Sequence, residues 1–117
     1  MTASKRHALA ILATAILAGV IAYLTLTPPR PATIAHFLPD KAYHLIAFAA
    51  LIFPGAWLYR ASLIWLIPVA LGFGATIELV QPLVGRSAEV ADFLADAVGV
   101  VIGAASGVAL GSSERNR

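Results

Sequence analysis

Polar residues at helical spacing occur at three places in an otherwise apolar chain. The three pairs are Asp40 with His44, Glu78 with Gln81, and Asp92 with Asp96. Residues three or four positions apart share one face of a helix, so the members of each pair can point into the same site. A histidine among carboxylates can transfer protons near neutral pH, because imidazole is the side chain that changes charge there. We therefore expect one polar site built from three helices.

Two basic residues accompany these pairs and indicate the kind of ligand. Lys41 follows Asp40, and Arg86 lies between the second and third pairs. The planar guanidinium of arginine binds phosphate or carboxylate at two points, whereas lysine acts as a point charge. We expect the site to bind an anionic molecule, such as a lipid phosphate. The residues expected to bind it are Asp40, Lys41, His44, Glu78, Gln81, Arg86 and Asp92.

Three other interpretations of the same residues stay open. If the site catalyses a hydrolase or transferase reaction, His44 and Glu78 are the expected acid and base. If the site is only structural, its basic residues neutralise the carboxylates and fix the helix register. The metal interpretation uses Asp40, His44, Glu78 and Asp92 as ligands. Because no helix carries a His-x-x-x-His or Glu-x-x-His pair, we expect no metal and no cofactor. The sequence does not decide between an enzyme and a binding protein.

Long apolar segments must position these residues. Of the 117 residues, 60% are hydrophobic and 12% are charged, whereas soluble domains carry about 25% charged residues. Four segments approach the ~20 residues that cross a hydrocarbon core, namely residues 8–26, 42–59, 63–80 and 90–110. No segment alternates polar with apolar residues as a membrane barrel requires. We predict an all-α integral membrane bundle of four transmembrane helices, formed as one domain by residues 1–117.

Basic residues outside the apolar segments predict the orientation in the membrane. One side of the predicted bundle has Lys5, Arg6, Arg60, Arg115 and Arg117, and the other side has Arg30, Lys41 and Arg86. Because cytoplasmic loops are enriched in lysine and arginine, we expect both termini in the cytoplasm and the polar site on the outer side. These flanks account for the net charge of +2 without a nucleic-acid partner. The partner that we expect is the lipid bilayer, and the oligomeric state is not predicted.

A stripe of small residues on the last segment predicts close helix packing. Gly99, Gly103, Gly107 and Gly111 recur every four residues and so lie on one helix face. In lipid, such stripes allow two helix backbones to approach closely. We expect this face to be the main packing surface of the fourth helix.

In order and spacing, these motifs resemble those of the VanZ-like family of small bacterial membrane proteins. The matching motifs are "DK..H", "E..Q", "GR.....D" and "G...G", which together span residues 40–103. By position, the polar motif of the family falls on Asp40, Lys41, His44, Glu78, Gln81, Gly85, Arg86 and Asp92. The founding member lies in a glycopeptide-resistance gene cluster and contributes to teicoplanin resistance. The resemblance implies the bacterial cytoplasmic membrane, a role in the cell envelope and a link to glycopeptide resistance. In that setting, the expected anionic ligand is an envelope lipid or a cell-wall precursor. The resemblance supplies no reaction.

Asp96 is the position at which this chain departs from the family pattern. The family commonly has an asparagine four residues after the motif aspartate, where this chain has a second acid. A carboxyl group deep in a low-dielectric interior is costly to ionise. We expect Asp96 to be neutral and to donate a hydrogen bond as asparagine would. The alternative is an ionised Asp96 that is either hydrated from the outer side or paired with Arg86.

Overall fold

The computed structural model describes residues 1–28 and 39–115. Within these ranges the chain forms four α-helices, α1 (Ala3–Leu26), α2 (Asp40–Leu58), α3 (Leu63–Val80) and α4 (Val90–Arg115), and two short 3-10 helices, Arg60–Ser62 and Gln81–Val84. All four α-helices are long and apolar enough to cross a membrane. This confirms the predicted all-α bundle of four membrane-spanning helices. Arg30 and Arg117, which enter the predicted charge asymmetry, lie outside the described residues.

Helix α1 begins earlier than the predicted apolar span because its start is capped. The Thr2 hydroxyl accepts a hydrogen bond from the backbone N–H of Lys5 at 3.2 Å. Such a cap provides an acceptor for one of the first-turn N–H groups, which have no partner within the helix. The basic segment at the start of the chain is therefore helical and continuous with the apolar span.

The glycine stripe of α4 lies against the backbone of α2. A Cβ atom at Gly99 would meet the carbonyl oxygen of Leu45, and one at Gly103 would meet the carbonyl oxygen of Ala49. At Gly107 an added Cβ would lie 3.0 to 3.1 Å from main-chain atoms of α2. Main-chain atoms cannot rotate away as the end of a side chain can. The predicted packing role of the stripe is confirmed, and it holds α2 and α4 in close contact.

The apolar core lies where α2, α3 and α4 meet. Its largest fully buried apolar side chains are Phe48 and Ile52 of α2, Ile77 of α3 and Val100 of α4. Other large apolar side chains, such as Ile64 and Val101, are 85% and 67% exposed. An apolar outer surface is expected for helices that face lipid, where close packing and not the hydrophobic effect holds neighbouring helices together.

The connection from α3 to α4 brings polar backbone and side-chain groups to one end of the bundle. After the 3-10 helix, Gly85 adopts a φ of 78°, a left-handed conformation that favours glycine. The chain then stays irregular until α4 begins at Val90. Helix α4 does not begin before Val90, and Arg86 and Glu89 in the preceding segment contact the end of α1 and α3 instead. Asp96 therefore lies about 9 Å along α4, at 1.5 Å per residue.

Aromatic residues gather at the opposite end of the bundle. The His7 ring of α1 packs edge-on against Tyr59, with ring centroids 4.6 Å apart, and lies 6.5 Å from Trp65. The start of α1 is thus next to the α2–α3 connection. The polar residues of the α3–α4 connection contact the end of α1 instead. The two ends of the bundle therefore differ in chemistry, one aromatic and the other polar.

Candidate functional site

His44 is the centre of the polar end of the bundle. Its Nδ1 atom lies 2.8 Å from Oδ1 of Asp96, and its Nε2 atom lies 3.8 Å from Oδ2 of Asp92. The two aspartates are one helical turn apart on α4, so they present both carboxyl groups to α2. Asp96 is completely buried and Asp92 is 7% exposed. One proton joins His44 and Asp96, carried by either the imidazole or the carboxyl group.

Glu78 adds a carboxyl group from α3. One ligand atom each from His44, Glu78 and Asp96 lie within 4.8 Å of one another. Oε2 of Glu78 accepts a hydrogen bond from the backbone N–H of Glu89 at 3.1 Å, which ties α3 to the chain just before α4. Three helices thus build a histidine–carboxylate cluster, defined here as His44, Glu78, Asp92 and Asp96.

Several buried oxygen atoms at this end of the bundle lack hydrogen-bond partners among the described residues. They are Oε1 of Glu78, Oε1 of Gln81, Oδ1 of Asp92 and Oδ2 of Asp96. A buried polar group without a partner costs about 1–3 kcal/mol. A purely structural network would be expected to satisfy its own buried groups, so these oxygens favour a site that receives a proton, water, an ion or a ligand.

Lys41 and Asp40 lie at the exposed edge of the cluster. The Lys41 ammonium is 3.1 Å from Oε2 of Glu89, and both side chains are about half exposed, at 53% and 54%. Exposed ion pairs of this kind hold their partners weakly. Asp40 is exposed in the first turn of α2 and makes no hydrogen bond or ion pair with another described residue. Lys41 remains accessible to a ligand, although its nearest partner is an acid that was not predicted as part of the site.

Gln81 and Arg86 contact the end of α1. The Gln81 side-chain amide donates to the carbonyl oxygen of Thr25 at 3.3 Å, and Nε of Arg86 donates to the carbonyl oxygen of Thr27 at 2.7 Å. The last carbonyl groups of a helix have no partner within it, so these bonds satisfy them. No ion pair joins Arg86 to a carboxylate in the described parts of the chain. The suggested pairing of Arg86 with Asp96 is therefore wrong, because Asp96 contacts His44.

Asp96 and Gly74 belong to the site although neither was among the residues expected to bind the ligand. The spacing of Asp96 from Asp92 had placed it on the polar face of α4, but nothing had assigned it as the partner of His44. A Cβ atom at Gly74 would lie 3.0 Å from Oδ2 of Asp96 and 3.3 Å from the Phe48 ring. The missing side chain at Gly74 lets α3 approach the buried carboxyl group closely. Nothing in the sequence distinguished this glycine from others in apolar segments.

A groove between α3 and α4 leads to the cluster. It has a volume of about 360 Å³ and is open to the surroundings of the bundle. Apolar residues line most of it, including Ala75, Leu79 and Phe93, and the carboxyl-bearing residues Glu78 and Glu89 also line it. The groove therefore joins an apolar outer surface to the polar end of the bundle through Glu78.

The geometry permits proton transfer as well as binding. With Nδ1 of His44 engaged by Asp96, Nε2 is the nitrogen left to exchange a proton with a bound molecule. The buried carboxylates can accept hydrogen bonds or coordinate a cation. The predicted absence of a metal stays a prediction. The structure brings possible nitrogen and oxygen ligands of a metal together from different helices.

Comparisons of this chain with protein-family models, with curated proteins and with solved structures found no match. The resemblance to the VanZ-like family therefore stays an expectation that rests on the sequence motifs. The fold and composition make this chain a multi-pass membrane protein with a histidine–carboxylate cluster at one end of its helical bundle.

Proposed function

We propose that this protein is a VanZ-like protein of the bacterial cytoplasmic membrane whose polar site binds an anionic envelope lipid or a lipid-linked cell-wall precursor. The observation that carries the proposal is the α3–α4 groove, because its apolar lining also includes Glu78, a member of the cluster with an unpartnered carboxyl oxygen. An amphiphile has the same two parts. Its hydrocarbon chain would lie along the groove beside Leu79 and Phe93, and its head group would reach the cluster.

The chemistry of the cluster favours a head group that donates hydrogen bonds. Oε1 of Glu78 and Oδ1 of Asp92 can accept them from hydroxyl or amide groups, which sugars and peptides supply. The anionic part of the head group would be bound by Lys41 and Arg86. Arg86 uses its Nε–H for Thr27, and the remaining guanidinium N–H groups are suited to phosphate. A head group with both hydroxyl groups and phosphate fits this combination.

An outward-facing cluster is part of the proposal. The cluster lies at the end of the bundle opposite the start of α1, where Lys5 and Arg6 are found. The excess of basic residues on the α1 side supports a cytoplasmic location for that side and an outer location for the cluster. A site on the outer face has access to lipid-linked precursors after they cross the membrane.

The proposal is tested in a deletion strain that is complemented with variants of this protein. Glu78→Gln removes the acid that joins the groove to the cluster. Ser106→Ala is the control, because Ser106 is an exposed polar residue of α4 outside the groove and the cluster. We expect wild type and Ser106→Ala to restore the envelope lipid profile and glycopeptide susceptibility, and Glu78→Gln to fail at equal membrane abundance. Full complementation by Glu78→Gln would contradict the proposal.

A second candidate function is catalysis on the same ligand. The contact of Asp96 with Nδ1 at 2.8 Å holds the His44 ring and leaves Nε2 available as a general base or acid. Glu78 would supply the second acid–base group. The test is release of phosphate or fatty acid from envelope lipids by the purified protein. Catalysis predicts that the release is lost in His44→Gln but kept in Ser106→Ala. No release by the folded wild type would exclude this candidate.

A further inference from the structure

We infer that His44, Glu78 and Asp96 form a binding site for a divalent transition-metal ion, for which Zn²⁺ is the direct probe. The three residues come from α2, α3 and α4, and one ligand atom of each lies within 4.8 Å of the others. Imidazole nitrogen and carboxylate oxygen are both ordinary ligands of zinc. Three protein ligands with one open position are also the usual arrangement at zinc sites that act on a bound molecule.

Unpartnered buried oxygens provide the independent evidence that something binds here. Asp96 is completely buried, and its Oδ2 atom has no hydrogen-bond partner among the described residues. Oε1 of Glu78 and Oδ1 of Asp92 are buried and equally without a partner. A buried carboxylate oxygen that lacks a donor is stabilised when it coordinates a cation. Asp92 adds a further carboxyl group to the site, with Oδ2 at 3.8 Å from His44 Nε2.

The charges around the cluster also favour a cation. Three carboxyl groups, those of Glu78, Asp92 and Asp96, surround one imidazole. Among the described residues at this end, the basic side chains of Lys41 and Arg86 make their contacts elsewhere, with Glu89 and with the Thr27 carbonyl group respectively. Acids that share a low-dielectric site repel one another unless they are protonated or balanced by a positive charge. A divalent ion supplies that charge at the cluster itself.

The rearrangement needed for coordination is small. A tetrahedral ion with bonds of about 2.1 Å holds its ligand atoms about 3.4 Å apart. The ligand atoms of the three residues now lie up to 4.8 Å apart, so the longest of these distances has to shorten by about 1.4 Å. Rotation of the partly exposed Glu78 side chain can provide this change. The proton shared by His44 and Asp96 leaves when both residues coordinate the ion, so binding releases a proton to the solvent.

A bound ion would also help the site to bind a lipid phosphate. Only this role of the ion rests on the proposed function. A lipid phosphate would be repelled by three bare carboxylates. An ion held by them would attract the phosphate through its open coordination position. Glu78 lines the groove, so a head group held there would lie beside the ion.

Zinc binding is measured on the tag-free, full-length protein in detergent, stripped with a chelator and studied without added lipid. Calorimetric titration of wild type with ZnCl₂ is expected to show about one ion per chain, with release of a proton and a higher melting temperature. Asp96→Asn and Glu78→Gln are each expected to weaken binding by about tenfold or more. Ser106→Ala is the control, since it changes an exposed polar residue of α4 that is not a ligand, and it should bind as wild type does.

Several outcomes would overturn the inference. The first is that the folded wild type takes up no Zn²⁺ at about 1 mM free Zn²⁺. The second is that wild type and Asp96→Asn bind Zn²⁺ with equal affinity. The third is that wild type binds Mg²⁺ as tightly as Zn²⁺. Equal affinity for Mg²⁺ would mean that His44 is not a ligand, because magnesium prefers oxygen ligands alone. The wild-type titration decides the matter even if a variant fails to fold. Lipid bound to a protein that takes up no zinc would refute the metal site and leave the proposed function standing.

Discussion

Replacing Gly103 with alanine should destabilise the bundle, because the added Cβ has no space. It would meet the carbonyl oxygen of Ala49 in α2 and the side chain of Ile52. The Ile52 side chain can adjust, but the Ala49 carbonyl oxygen belongs to the helix backbone. The two helices must therefore separate locally, and the contact that positions His44 opposite Asp96 lies on the same pair of helices.

Gly72→Ala in α3 and Gly19→Ala in α1 are matched controls for this change. An added Cβ at either position has no atom within 4 Å to meet. An alanine in a helix is more stable than glycine by about 0.5–1 kcal/mol, so these controls should keep or raise the free energy of unfolding. Overpacking costs about 1–3 kcal/mol. Gly103→Ala gains the same helix propensity as the controls, so this gain cancels in the comparison. Gly103→Ala should therefore be less stable than either control by the overpacking cost alone, about 2 kcal/mol.

Thermal melting in detergent measures the difference. For a chain of this size, 1 kcal/mol corresponds to a shift of about 4 °C in melting temperature, so the gap between Gly103→Ala and Gly72→Ala should be about 8 °C. A second comparison uses leucine substitutions. Gly103→Leu should melt well below Val101→Leu, because Gly103 has no space for a side chain whereas Val101 is 67% exposed. If Gly103→Ala and Gly72→Ala have the same melting temperature, the backbones of α2 and α4 are not in close contact at Gly103.

Three further predictions concern topology, the buried acid and the α1 contact. The chain has no cysteine, so single cysteines introduced at positions 86 and 60 can be labelled with an impermeant reagent in intact cells. Only position 86 should react, and labelling at position 60 alone would mean that the orientation is reversed. Asp96→Asn keeps a hydrogen-bonding side chain beside His44 and should lose less than about 1 kcal/mol of stability. Asp96→Ala should lose about 1–3 kcal/mol more. Equal melting temperatures of the two variants would mean that the contact with His44 contributes nothing to stability. Arg86→Gln removes the guanidinium from the Thr27 carbonyl group and should cost about 1 kcal/mol, and unchanged chemical denaturation would show that Arg86 does not hold α1.

The fold was predictable because the membrane restricts the choice of structure. Apolar length alone indicates four helices, and the four-residue glycine spacing indicates which face of α4 packs. The i,i+4 spacing of Asp92 and Asp96 likewise predicted that the two acids share a face. The helix starts were less accessible, since the beginning of α4 depends on where Glu89 and Arg86 find partners in other helices.

The internal arrangement of the site was only partly predictable. His44, Glu78 and Asp92 come together as expected, because each lies on a polar face near the same end of the bundle. The partner of Arg86 is a backbone carbonyl group, and every residue carries one, so no residue type in the sequence marks it. The pairing of Lys41 with Glu89 depends on the path of the α3–α4 connection, which spacing along one helix cannot specify.

The most direct test of lipid binding is native mass spectrometry of the protein released from bacterial membranes. Ala75→Trp fills the α3–α4 groove, and Val101→Trp adds the same side chain to an exposed position of α4 outside it. We predict that wild type and Val101→Trp retain one class of anionic or precursor lipid and that Ala75→Trp loses most of it. Equal retention of that lipid by all three proteins, or no retained lipid in wild type, would contradict the proposed binding site.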